Sequence, residues 1–363
     1  MSERTAETVL AFPMHGQRKL ASEGYRTRDG HLIEWFPRLT GGKVVVVSRP
    51  EPFPLATRYP RDAVAEGTQA VDTDVWRLPR PTDLKRWWVT SARRYPLVEV
   101  DGPTVVWNPF VFTAPSELLG DRRVAFDLLD DWTVHHAFAS IRDDVARAYR
   151  QAFERADVVF ANSEATLALA ERHGRSDAVL MPNGCDPERF TPVSRAEGPL
   201  TVGYIGKIGK RVDAQLIAQV AGELPDWSFV LAGPVLDRGY RSLGRIPNVT
   251  LLGDVPYPRI PELLTTFDIG WVPHRVGTGE VGGDAIKIYE YHAAGLPVVT
   301  TPIIGAGRRG LGGVDVVAPG EHVAALTRIA AGRGRVPRVE PSLPAEATWG
   351  WKAGEMLRRL GAV

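Results

Sequence analysis

The stretch Gly203-Tyr-Ile-Gly206-Lys207-Ile-Gly209-Lys210-Arg211-Val-Asp213 gathers glycines and cations directly after an apolar run and before a helical pattern. Glycine lets backbone N–H groups approach an anion, and a helix start favours negative charge. Lys207 and Lys210 supply mobile ammonium groups and Arg211 a forked donor, a set suited to a diphosphate. The pattern is neither the G-x-G-x-x-G dinucleotide fingerprint nor a Walker A loop, and an ordinary basic turn has the same composition.

A second stretch, Lys287-Ile-Tyr-Glu290-Tyr-His-Ala-Ala-Gly295-Leu-Pro, reads as a helix stopped by a glycine C-cap, with Pro297 opening a buried strand. Glu290 is the only acid in that helix, and Lys287, three residues earlier, shares its face. A solvated Lys–Glu surface pair has the same spacing. A third group, Asp127-Leu-Leu-Asp130-Asp131-Trp132 followed by His135 and His136, ends an apolar run. Ligands of doubly wound sheets sit outside such carboxyl ends. The alternatives are helix capping for the aspartates and packing for the histidines. At the end of the first apolar run lie His15 and Gly16, with Arg26, Arg28 and Asp29 on a loop or helix start beyond it. These are candidates for the acceptor side, and surface loop residues are the plainer reading. No His, Asp or Cys set has metal-ligand spacing, so no metal is expected.

The elements that position these residues follow from apolar patterning. Runs at 9–13, 44–48, 75–78, 104–107, 124–129, 158–161 and 178–181 read as strands. Several are continuous rather than alternating, as strands covered on both faces are. Helical patterns at 143–155 and 163–173 lie between them, the second opening at Ser163 as an N-cap. The second half repeats the alternation: strands at 200–205, 228–232, 249–252, 269–272, 298–300 and 314–317, helices at 212–224, 260–267, 286–294 and 321–331. This order predicts two α/β units with parallel sheets. The Pro-, Gly- and Ser-bearing segment 192–199 reads as the boundary, giving domains 1–192 and 199–344 and a final amphipathic helix within 345–363.

The chain has 363 residues with formal net charge +1, so its balance points to neither nucleic acid nor a strongly acidic partner. Its single cysteine, Cys185, allows no intrachain disulfide and fits a reducing cytoplasm. No apolar run reaches membrane-spanning length, and the first ten residues lack an apolar signal core. The mix of cations and indoles at 84–95 suits either a membrane interface with a lipid-linked anionic acceptor or two core-packed tryptophans beside snorkelling cations; the core reading is preferred.

As an ordered set these stretches resemble the retaining GT-B glycosyltransferases of glycosyltransferase family 4. The resemblance continues through Asp157-Val-Val-Phe-Ala-Asn-Ser163-Glu, Met181-Pro-Asn183-Gly184-Cys-Asp186-Pro-Glu-Arg-Phe190, Phe229-Val-Leu-Ala-Gly233-Pro and Phe267-Asp268-Ile269, covering about 157–301. "FDLLDDW" and "KIYEYHAAG" look most like a subgroup that includes teichuronic-acid-type transferases. The resemblance implies two Rossmann-like domains facing an interdomain cleft: an N-terminal acceptor domain, a C-terminal donor domain, and a last helix crossing back to the first. It implies that Glu290 accepts hydrogen bonds from the nucleotide ribose, and that Lys207, with Lys210 or Arg211, pairs with the diphosphate. Gly206, Ile286 and Lys287 would lie along the phosphates. One departure is plain: the family's additional glutamate, eight residues before Glu290, is replaced by Gly282, with Glu280 and Asp284 as flanking substitutes.

The expected activity is transfer of a sugar from a nucleoside diphosphate sugar to a hydroxyl acceptor, with retention. Lys207 and Arg211 would act on the leaving group and Asp130 on the acceptor or the oxocarbenium-like centre. His15, Gly16, Arg28, Asp131 and His135 are the acceptor-side candidates. No cofactor, metal or nucleic acid is expected; the partners are the donor, the acceptor and weak peripheral contact with the inner membrane face. Two other readings remain open: a sugar-nucleotide epimerase on the same scaffold, and a non-catalytic nucleotide-sugar-binding subunit.

Overall fold

A computed structural model describes residues 7–53, 55, 66–71, 73, 76–77, 86–277, 282–331 and 334–363. Two compact units result. Residues 1–182, 281–283 and 349–363 form the first, and 183–280 with 284–348 form the second. The chain therefore changes unit at Pro182–Asn183, ahead of the expected 192–199 segment. Asn183 is tied into the second unit: its amide N–H donates to the Asp284 carboxylate at 2.9 Å, and its side chain to the Asp284 carbonyl at 2.8 Å.

Unit 1 is a seven-stranded parallel sheet in the order β3-β2-β1-β4-β5-β6-β7. Its strands are β1 Val9–Phe12, β2 Val44–Val47, β3 Thr68–Val71, β4 Thr104–Val106, β5 Val124–Leu128, β6 Val158–Ala161 and β7 Val179–Leu180. Every residue of β1, β2 and β5 is buried, which the uninterrupted runs VLAF and VVVV require of a sheet covered on both faces. Its helices are α1 Gln17–Ser22, α2 Arg28–Thr40, α3 Trp87–Ser91, α4 Arg142–Arg155 and α5 Glu164–Arg172. Ser163 caps α5 as its sequence suggests, in a box closed by Thr166. Four of these elements, α1, α2, α3 and β3, are not apparent in the apolar pattern. The expected strand at 75–78 lies partly outside the described residues; Trp76 forms an isolated bridge with Pro52.

Unit 2 is a six-stranded parallel sheet in the order β10-β9-β8-β11-β12-β13. Its strands are β8 Thr201–Ile205, β9 Ser228–Ala232, β10 Val249–Gly253, β11 Ile269–Val272, β12 Val298–Thr300 and β13 Val314–Val316. Its helices are α6 Ala214–Glu223, α7 Ile260–Leu264, α8 Ile286–Ala293 and α9 His322–Ala330, while the final helix α10, Trp349–Leu360, belongs to unit 1. Asp213 caps α6 by accepting the N–H groups of Gln215 and Leu216. The central β8 is a glycine-bearing strand for a steric reason: a Cβ at Gly203 would run into the Phe267 ring.

The indoles near 87 turn inward. Trp88 meets Trp132 and Phe138 edge-on, each at 5.3 Å between ring centres. The cation on their faces is the buried Arg49, 3.8 Å from Trp88 and 4.6 Å from Trp87. No described helix is long and apolar enough to cross a membrane.

Candidate functional site

The glycine- and cation-bearing loop begins where β8 ends. Gly206 has φ 142, and its N–H donates to the Ala232 carbonyl at the end of β9 at 2.8 Å. Gly233, φ 146, passes so close that a Cβ there would strike the Gly206 carbonyl. Two strand ends thus cross at backbone distance, which only glycine permits at these φ values. Ile208 N–H donates to Pro234 at 3.0 Å, and Leu236 N–H donates back to Ile208 at 2.8 Å. Arg275 N–H donates to the Arg211 carbonyl at 2.8 Å. The loop is therefore pinned on both sides, with Lys207, Lys210 and Arg211 exposed along it.

Helix α8 is brought to the same end of the sheet by Tyr291. Its ring fills the space above Gly270 on β11, and its hydroxyl accepts the Ile205 N–H at 2.7 Å. One turn earlier on that face is Lys287. Its side chain lies across Gly206: a Cβ built there would be 3.0 Å from Lys287 Cε and 3.4 Å from Nζ. The ammonium also sits 5.4 Å from the centre of the Tyr204 ring. The Tyr204 hydroxyl lies 3.2 Å from the Lys207 carbonyl and 3.1 Å from His274 Nε2.

Glu290 is 5% exposed and faces the Tyr257 hydroxyl. Arg189 lies over the Tyr257 ring at 5.9 Å and pairs with Asp186 at 3.0 Å. Burial pushes the Glu290 carboxyl up to about 7, against the pull of Tyr257, Lys287 and Arg189. Burial and the nearby Arg211 bring Lys287 down to about 8, with Glu290 opposing them. His274 is held well below its usual range by burial, Lys287 and Arg211. Arg211, Lys287, His274 and Glu290 thus share one local field. It offers concentrated positive charge at Gly206 and a carboxylate acceptor one turn along α8.

Other residues of the expected donor set are placed differently. Ile286 is the first residue of α8 and half-buried. Asp284 accepts from Asn183 N–H at 2.9 Å and Tyr289 hydroxyl at 2.7 Å, and pairs with Arg309 at 3.3 Å. Its carboxylate is thereby engaged in holding the loop before α8, which weakens its case as a substitute for the absent glutamate. Glu280 lies outside the described residues. Gly282 has φ 87, accepts a hydrogen bond from the Ser163 hydroxyl, and would bring a Cβ to 3.3 Å from Ala165. Any L-residue is strained there, so the backbone itself explains the missing side chain.

In unit 1, Asp130 follows β5. Its carbonyl accepts from the Tyr149 hydroxyl at 2.6 Å, and its carboxylate lies directly against Gly283, where a Cβ would collide with it. Asp131 accepts from Thr133 N–H at 2.9 Å, and His135 Nδ1 accepts from Ala137 N–H at 3.0 Å, both local caps. His15 Nε2 sits 3.1 Å from Lys19 Nζ. Gly16 makes room for Ser48, whose Cβ would be 3.2 Å from an added Cβ, so packing accounts for it. Arg28 is not a surface loop residue. It is 3% exposed in the first turn of α2, grips Asp127 through Nε at 2.7 Å and Nη2 at 3.0 Å, and donates to Pro182. Asp127 also accepts from the Trp107 indole at 2.6 Å. That network is structural in character, and it leaves Asp130 as the acid at the end of β5.

Tyr204, His274, Tyr257, Asp186 and Arg189 were not singled out by sequence reasoning. Asp186 and Arg189 lie within the quoted 181–190 motif, but nothing in their spacing points towards Glu290. Among the described residues no three His, Cys, Asp or Glu side chains cluster as a metal site.

The family model "Glycosyl transferases group 1" matches residues 199–331. A glycosyltransferase of Bacillus subtilis (strain 168) named for teichuronic acid biosynthesis, TuaH, is 27% identical over 218 residues, 54% of this chain and 55% of that protein. The chain thus spans about half the length of that relative. Among solved structures, sucrose-phosphate synthase from Thermosynechococcus elongatus superposes with TM-score 0.67 at 15% identity, covering 98% of this chain and 94% of that one. The HepE protein of Anabaena, solved in complex with UDP and glucose, gives TM-score 0.62 at 16% identity, covering 97% and 95%. Both likenesses concern the fold. The chain therefore has the two-unit parallel α/β fold seen in GT-B glycosyltransferases, and its residues 199–331 match the glycosyl transferases group 1 family model.

Proposed function

We propose that this protein is a glycosyltransferase that moves a sugar from a nucleoside diphosphate sugar to a hydroxyl acceptor, with retention. The observation that carries the reading is the meeting of Gly206, Arg211, Lys287 and Glu290 at the carboxyl ends of β8 and β11. A diphosphate fits the glycine loop beneath the cations, and ribose hydroxyls fit Glu290 as donors to its carboxylate. As the anomeric bond breaks, negative charge grows on the diphosphate. Lys207 and Arg211 stabilise that charge more than the ground state, which is what accelerates the step. Asp130 is the unit 1 acid assigned to orient the acceptor or to stabilise the oxocarbenium-like centre; it is not assigned as a covalent nucleophile.

A thermal-shift screen against nucleotides and nucleotide sugars tests the reading. Stabilisation grows as RT ln(1 + [L]/Kd), so a nucleoside diphosphate at one hundred times its Kd should add about 2.7 kcal/mol. A flat response to every nucleoside diphosphate and its sugar conjugates would remove the donor site from this unit.

A further inference from the structure

Arg49 stands just past the carboxyl end of β2 with a buried guanidinium that the fold leaves partly unsatisfied. It is 6% exposed and lies over the Trp88 ring at 3.8 Å and the Trp87 ring at 4.6 Å. Its Nη2 pairs with Glu51, whereas Nε and Nη1 have no hydrogen-bond partner. Two other arginines of unit 1 are treated differently. Arg28 donates to Asp127 and Pro182, and Arg122 to four backbone carbonyls. A buried donor left unmade costs more than a made bond returns, so Arg49 calls for an acceptor atom that the chain does not supply. Two neighbours repeat the pattern. The Tyr95 hydroxyl, in the field of both Arg49 and Glu51, accepts from Asn108 Nδ2 at 3.1 Å, and its own proton meets no acceptor among the described residues. The buried Trp76 indole N–H also lacks a partner; Trp76 bridges Pro52 and carries Arg94 over its ring at 4.3 Å. Arg77 lies over Phe53 on the same loop at 5.6 Å. The cluster thus holds three guanidinium groups and one paired carboxylate, Glu51.

Deepening the reading above and resting on it, we propose that Arg49, with Tyr95 and Trp76 beside it, is a subsite for an oxyanion carried on the acceptor sugar, a carboxylate or a phosphate. The unmatched groups are all donors, and a planar guanidinium fork suits such an oxyanion. The two indoles hold the guanidinium plane in place, so little side-chain freedom remains to be lost on binding. Glu51 has a defined part: it is the internal counter-ion of the empty subsite and competes with the ligand for Arg49. The subsite lies apart from Asp130. Arg49 follows β2 and Asp130 follows β5, with β1 and β4 between those strands, so three strand spacings, roughly 14 Å, separate the two positions. The charge therefore sits on a part of the acceptor remote from the hydroxyl that receives the sugar. That geometry fits an extended anionic glycan rather than a small neutral alcohol.

The experiment is a ligand-observed NMR titration with glucose, glucuronate and glucose 6-phosphate, which share a ring and differ in charge. The protein is first saturated with UDP or GDP, so that the glycine loop of unit 2 is filled. The natural protein should prefer both anions to glucose by about tenfold or more, the worth of a charge-assisted hydrogen bond. Arg49→Met should bring that ratio close to one. Glu51→Gln removes the competing carboxylate and should tighten both anions severalfold, a gain that a purely structural ion pair would not give. Tyr95→Phe keeps the ring and should weaken the anions roughly threefold while leaving glucose unchanged. Equal binding of the three sugars by the natural protein, an anion preference that survives Arg49→Met, or no gain in Glu51→Gln overturns the subsite and leaves the donor reading intact. Failure of both nucleotides to bind overturns the donor reading, and the acceptor role of Arg49 with it. Binding to phosphatidylglycerol vesicles that Arg49→Met abolishes, with no preference among the sugars, would put the oxyanion on a lipid headgroup and overturn the sugar assignment.

Discussion

Replacing Glu290 by glutamine separates two properties that the structure joins in one carboxyl: its role as hydrogen-bond acceptor and its titration. The carboxyl ionises at about 7 because it is buried, and only the ionised form accepts from both ribose hydroxyls. Nucleotide affinity should therefore fall as pH drops through 7. At pH 5.5 the protonated form exceeds the ionised one by roughly thirty to one, so affinity should be about thirty-fold weaker than at its plateau. Glutamine still accepts through its carbonyl oxygen but carries no charge. The loss of charge assistance is worth about 1–2 kcal/mol, or roughly five- to thirty-fold at pH 7.5. The signature is that Glu290→Gln is weaker at pH 7.5 yet flat between pH 5.5 and 7.5. The same titration appears in stability with a definite sign. Because the folded state binds the Glu290 proton more tightly than the unfolded chain, this group's contribution decreases as pH rises from about 4.5 to 7. Calorimetric titrations with UDP- and GDP-sugars, whose esterified diphosphates do not titrate in that range, decide it. An acid limb that persists in Glu290→Gln would show that another group governs binding and would refute the assignment.

Two further outcomes follow from the same geometry. Removing both Lys207 and Arg211 as alanines should lower kcat far more than donor affinity, by 10²-fold or more, since one preorganised donor is typically worth ~10²–10³; steady-state kinetics with separate kcat and KM checks this, and equal changes in both would move these cations out of the chemical step. Asp127→Asn should destabilise unit 1 by about 3–5 kcal/mol, because it leaves the buried Arg28 guanidinium uncompensated; a Tm within 2 °C or so of the natural protein would show that the pair is dispensable.

Inner strands were legible because they are buried on both faces, so β1, β2, β8 and β11 stand out as apolar runs. Strand β3 did not, since Thr68–Val71 is a half-exposed edge strand with a polar residue inside it. Helix α2 was hidden by Gly30 and Pro37. The first is a glycine because a Cβ would lie 2.8 Å from the Tyr25 carbonyl, and the second falls in the last turn before the Gly41 C-cap. In the site, Lys287 and Glu290 could be paired from helical spacing alone, and the Gly206 loop from its composition. Tyr257, His274 and Arg189 could not, because three separate loops bring them to Glu290 and Lys287 and no periodicity links them. Asp284 shows the converse limit: its position beside α8 suggests a ligand, but its carboxylate meets Asn183, Tyr289 and Arg309 instead.

A crystal structure with a bound nucleoside diphosphate tests the central claim most directly. The account predicts phosphate oxygens within hydrogen-bond reach of the Gly206–Arg211 loop and Lys287, and both ribose hydroxyls on the Glu290 carboxylate. A nucleotide seated elsewhere on the 199–331 domain, with Glu290 still turned to Tyr257 alone, would contradict it.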